Sequence, residues 1–162
     1  MSFSIHKGYL PGAIGRIIEL HGTYYHRHAG FGVYFESKVA RGLADFCDSY
    51  DETRDGLWLA IANEAIEGSI AIDGSNSTTE GAHLRWFIAS DIVRGIGAGN
   101  ALLGSAINFC REKQYGLVYL DTFEGLQAAR HLYEKFGFRL IHQETGIQWG
   151  CKVNEQRFEL EL

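Results

Sequence analysis

The stretch "IVRGIGAGNALLG", residues 92–104, decides how this chain is read. It sets glycines at 95, 97 and 99 directly before an apolar pattern at helical spacing: Leu102, Leu103, Ala106, Ile107 and Cys110. Glycine lacks Cβ, so the backbone can take unusual dihedrals and come close to a ligand. A glycine turn that opens a helix offers unpaired N–H groups and the positive end of the helix dipole. Both favour an anion, most often a phosphate.

Working outward from the turn, "AHLRWFIA" (82–89) reads as the strand leading into it. The helix after it is expected from about 98 to 114. "GLVYLDT" (116–122) follows as a strand and "LQAARHLYEKF" (126–136) as a helix stopped by Gly137. "FRLIHQE" (138–144) and "QRFELEL" (156–162) close the chain as strands. Upstream, "FSIHKGY" reads as a short edge strand, and Pro11-Gly12 as a turn. Helices are predicted over 13–27 and 34–50, separated by "AGFG" (29–32). Residues 57–62 and 66–73 form a hairpin about Asn63-Glu64, and "GSNSTTEG" (74–81) is a loop. The order β-α-α-β-β-β-α-β-α-β-β predicts a mixed α/β fold, its sheet predominantly antiparallel and flanked by helices. With no repeat or linker visible, residues 1–162 read as a single domain.

Bulk properties narrow the function. The chain is 46% hydrophobic and 22% charged, with a formal net charge of -5. An acidic balance argues against nucleic acid as the main partner. Cys47, Cys110 and Cys151 are sparse and odd in number, which predicts neither a disulfide framework nor a metal site. No signal peptide and no membrane-length apolar run is read, so the expected location is cytoplasmic, away from membranes.

Three phosphate loops compete for residues 92–104. A triphosphate loop needs G-x-x-x-x-G-K-[ST], and no such Lys follows. A dinucleotide loop needs G-x-G-x-x-G after the first strand, but Asn100 stands where its third glycine belongs, which disfavours NAD. The third pattern is R-x-x-G-x-G, met by Arg94, Gly97 and Gly99. Downstream, "ARHLYEKFGF" (129–138) matches A-x-x-L-Y-x-x-x-G-F, with one helix and one strand between the two signatures. Together they resemble the GNAT superfamily of N-acetyltransferases, which use acetyl-coenzyme A. The blocks "IELHGTYY", "LWLAIANEAIEGSI", "LDTFEGLQAARHLYEKFGF" and "WGCKVNEQRFELEL" look closest to acetyltransferase domains fused to MarR-type regulators, here in a free-standing version.

The resemblance implies roles residue by residue. Backbone groups of Phe87, Ile88 and Ala89 would pair with the pantetheine arm where the fourth and fifth strands splay. Amides of Gly95, Ile96, Gly97, Ala98, Gly99 and Asn100 would hold the pyrophosphate, and Arg94 either touches a phosphate or closes the turn. Tyr133 would give a proton to the departing thiolate, a phenol of pKa near ~10 serving a thiol near ~8.5. The base that takes a proton from the amine stays open among His83, Glu80 and Asp121. An asparagine common in the family, seven positions before the tyrosine, is here Leu126, so its pantetheine contact is lacking or falls to Gln127. His21, Tyr24, Tyr25, Phe35 and Glu36 are expected on the acceptor wall, where aromatic rings and a carboxylate would suit a cationic amine. The acceptor is a primary amine, of a small molecule or a protein. Homodimers are common in the superfamily. A non-catalytic sensor of acyl-coenzyme A is the alternative function.

Overall fold

The computed structural model describes residues 2–162 and shows eleven elements in the expected order. They are β1 (Ser4–Lys7), α1 (Ala13–Ala29), α2 (Val33–Asp48), β2 (Gly56–Ala62), β3 (Ala65–Asp73) and β4 (Ala82–Ala89). Then come α3 (Ala98–Glu112), β5 (Leu117–Phe123), α4 (Gln127–Lys135), β6 (Arg139–Gly146) and β7 (Val153–Glu161). One seven-stranded sheet runs β1-β2-β3-β4-β5-β7-β6. Every pairing is antiparallel except β4 with β5.

Strand alternation explains the two cores. Leu57, Leu59 and Ala71 face α1 and α2, where they meet Ile17, Phe35, Val39 and Leu43. Trp58, Ala60, Ile70 and Ile72 face α3, meeting Leu102, Leu103, Ala106, Ile107 and Cys110. Cys110 is fully buried, and burial pushes its thiol up to about 12, so it packs as a small hydrophobe. The β2–β3 turn has both Asn63 and Glu64 at positive φ, 52° and 61°, as a two-residue hairpin of matched twist requires.

Differences from the sequence expectation lie at element ends. The second helix stops at Asp48 rather than residue 50, where Ser49 N–H and its hydroxyl both turn back to the Asp45 carbonyl. The third ends at Glu112, and Gln114 sits at φ 61°. The last strand begins three residues early, because Val153 to Glu155 still pair with β6. Among the described residues no helix is long and apolar enough to cross a membrane, and no cluster of side chains is suited to a metal ion.

Candidate active site

The site is built on a break in the sheet. β4 and β5 pair only at Ala82–Val118 and His83–Tyr119, after which the two strands separate. A bulge in β4 forces the separation: Trp86 takes φ 49°, and the register with β3 slips between Ser69 and Ala71. The Ser69 hydroxyl donates to the Trp86 carbonyl at 2.7 Å, which satisfies the group the bulge displaces. From Leu84 onward the β5-facing edge of β4 has no strand partner. Ile88 and Ala89 still pair with β3 through their other edge.

Directly after β4 the chain enters the glycine turn. Ser90 anchors its start: its N–H donates to the Glu67 carbonyl at 2.7 Å, and its hydroxyl donates to the Glu67 carboxylate. Buried Glu67 is also paired with Arg16 of α1 at 2.9 Å. Val93 and Arg94 fold back onto the Ser90 carbonyl. Among the described residues, the six consecutive N–H groups from Gly95 to Asn100 donate to no backbone carbonyl. Gly97 caps α3 at φ 97° without a side-chain cap, a conformation that L side chains rarely adopt. At Gly99 an added Cβ would lie 3.0 Å from Leu132 of α4, so glycine there lets α4 close over the turn.

Arg94 is bonded to the chain just before it. It donates to the Ala89 carbonyl at 2.6 Å and pairs with Asp91 at 2.7 Å, and its guanidinium lies over the Tyr24 ring. Asn100 is exposed and accepts from Lys135 at 3.1 Å.

The opening between β4 and β5 leads into a cavity of about 170 Å³. Phe87, His83, Asp121 and Tyr133 all line it, together with His21, Tyr25 and Phe35. Ile88 and Ala89 do not line it: the Ile88 carbonyl lies on the β3 side, close to Gly68, and the Ala89 carbonyl accepts from Arg94. Glu80 lies in the turn before β4, exposed and outside this lining. The carboxylate that the cavity does hold is Asp121, 3.5 Å from His83 Nε2. The His83 ring stacks on Tyr119 at 4.4 Å.

Tyr133 stands between this cavity and a smaller one beside Leu126 and Gln127. Its ring packs against Phe87, Phe138 and Phe158. Burial raises its phenol far above the ordinary range, with a lesser push from Tyr25. Such burial favours the protonated phenol.

Of the residues expected on an acceptor wall, Tyr25, Phe35 and His21 line the cavity, whereas Tyr24 and exposed Glu36 do not. Glu36 lies instead against Gly22 of α1. His21 Nδ1 is 2.8 Å from the Ile17 carbonyl, and burial holds its pKa at about 4. The ring is therefore neutral, with Nδ1–H donating and Nε2 left as an acceptor at the cavity. Sequence reasoning missed Lys38, Arg85, Gln148 and Trp149. Arg85 was detectable, because it lies in phase with His83 on one face of β4. Trp149 was not, since it arrives from the β6–β7 loop to pack on Phe123 with ring centres 5.6 Å apart.

An unpaired gap in a mixed sheet, beside a helix start with unpaired N–H groups, fits the acyltransferase class of α/β fold. The model of the acetyltransferase (GNAT) family matches residues 17–138, and the chain belongs to that family. Human N-acetyltransferase 8B is 28% identical over 125 residues, which cover 75% of this chain and 55% of that protein. The probable N-acetyltransferase camello of Xenopus tropicalis is 24% identical over 67% of this chain and 54% of its own length. The chain thus spans about half the length of the curated relatives it matches. A GNAT-family acetyltransferase of Staphylococcus aureus superposes with a TM-score of 0.78 at 21% identity, covering 99% of both chains. The Salmonella typhimurium protein yncA, solved with acetyl-CoA, superposes at 0.77 and 15% identity over 100% of this chain and 95% of its own. At those identities the structures establish the fold.

Proposed function

We propose that residues 1–162 act as one acetyltransferase domain that moves the acetyl group of acetyl-coenzyme A to a primary amine by direct attack. One observation carries the reading. Six unpartnered N–H groups, Gly95 to Asn100, stand at the end of a strand whose neighbouring edge is also unpartnered, and both lead to the buried hydroxyl of Tyr133. A diphosphate fits the first, an amide-bearing pantetheine arm the second, and a thioester sulfur the third. The family's use of acetyl-coenzyme A, and the yncA structure holding it, support the choice of thioester.

In the reaction the amine nitrogen bonds to the thioester carbonyl carbon and the C–S bond breaks. The sulfur leaves as a thiolate that Tyr133 stabilises by donating a hydrogen bond. The amine must shed a proton, and His83, set by Asp121, takes it in this reading, while Glu80 lies outside the cavity lining. No metal takes part in this reading. Arg94 supports the loop by fixing its shape. Leu126 leaves the family's asparagine contact unfilled, and Gln127 at the start of α4, which lines the small cavity beside it, is the amide that would replace it.

Release of free coenzyme A, measured over a panel of amines, tests the proposal. Amine-dependent release supports transfer. Tight binding of acetyl-coenzyme A with no release for any amine would favour a sensor instead.

A further inference from the structure

The charges inside the cavity run opposite to those expected for a plain cationic amine. Its lining holds two cations, Lys38 and Arg85, and a single carboxylate, Asp121. Asp121 is already engaged with His83. Lys38 donates to the Gln148 carbonyl at 2.8 Å, and among the described residues no carboxylate lies within ion-pairing distance of it. An ammonium has three donors, so two remain for a ligand. Arg85 stacks on Trp86 at 4.1 Å and forms an ion pair with Asp73 at 3.7 Å, a separation that leaves its N–H donors without a hydrogen bond to it. A part-buried ammonium such as Lys38 without a close counter-charge is costly, and an anionic ligand would offset that cost. The remaining wall is aromatic: Tyr25, Phe35 and Phe123 pack edge to face, and Trp149 closes over Phe123.

We propose that the acceptor is an amine that carries a carboxylate and an apolar group on one skeleton, an α-amino acid with a large apolar side chain being the simplest case. Arg85 and Lys38 hold the carboxylate, the aromatic wall takes the apolar group, and the amine points to His83 and Asp121. The inference rests on the transfer reading and names its substrate class.

Two readouts separate its failure from the failure of that reading. In the first, kcat/KM for coenzyme release is compared for L-phenylalanine, L-phenylalanine amide, phenethylamine and a short peptide with a phenylalanine N-terminus. Phenylalanine is expected to exceed the other three by about tenfold or more, the worth of a charge-assisted hydrogen bond. Arg85→Gln and Lys38→Met, made separately, are expected to raise the KM for phenylalanine and shrink its advantage over phenethylamine. In the second, quenching of tryptophan fluorescence by L-phenylalanine and phenethylamine is followed with coenzyme A present, which needs no turnover. Selective binding of phenylalanine without release would keep the inference and overturn the transfer reading. Release or binding that is as good for the amide, phenethylamine or the peptide would overturn the inference and leave transfer standing.

Discussion

At Tyr133 a single hydroxyl is asked to do chemistry from inside the core. The ring is 6% exposed and wedged among Phe87, Phe138 and Phe158, so its position is fixed by packing. Removing only the oxygen keeps that packing. Tyr133→Phe is expected to lower kcat by about 10²-fold, the usual cost of losing one hydrogen-bond donor to a developing anion, and to leave the Kd for acetyl-coenzyme A near the wild-type value. Steady-state kinetics beside calorimetric binding will show whether the two quantities part. His21 makes a prediction about stability. Its folded pKa of about 4 lies below the ordinary histidine value. The unfolded chain therefore binds a proton first as pH falls. Stability from this group is complete above about pH 6.5 and is lost toward pH 4, by up to roughly 3 kcal/mol. Urea unfolding at pH 7.5, 6 and 5 measures the slope, and His21→Leu should flatten it.

Between residue and fold, the bulge in β4 and the glycine turn are the elements that make a site out of a sheet. The bulge depends on one buried hydrogen bond, from Ser69 to the Trp86 carbonyl. Ser69→Ala leaves that carbonyl unsatisfied and is expected to cost about 1–3 kcal/mol in denaturant unfolding. The turn depends on dihedrals that only glycine takes freely. Gly97→Ala, at φ 97°, should cost about 1–2 kcal/mol of stability and weaken acetyl-coenzyme A binding. An unchanged Kd in a folded Gly97→Ala protein would place the diphosphate elsewhere. These elements also show what could be read from the sequence. The strand over 82–89 and the start of the helix at Ala98 were legible to the residue, because apolar alternation gives way sharply to glycine. The bulge was not, since Trp86 looks like any strand residue until β3 presents Ser69 to it. Tyr133 was legible as a motif position, but its burial was not. The charges of the cavity were misjudged for a related reason: Glu36 sits one helical step from Phe35 and turns outward, while Lys38 turns in.

For the whole molecule, the two helical layers have separate tasks. α3 and α4 press the sheet from one side and carry the loop and Tyr133. α1 and α2 cover the other side and, with the β6–β7 loop, wall the cavity where the acceptor would lie. The first layer corresponds to the two signatures legible in sequence. The second assembles residues as distant as Lys38 and Gln148, a contact spanning 110 positions, which no local pattern encodes. The most direct test is a crystal structure of the protein with acetyl-coenzyme A. The account predicts the diphosphate within hydrogen-bond distance of the Gly95–Asn100 amides and the thioester sulfur beside the Tyr133 hydroxyl. A turn left empty by the bound thioester, or a sulfur out of reach of Tyr133, would contradict it.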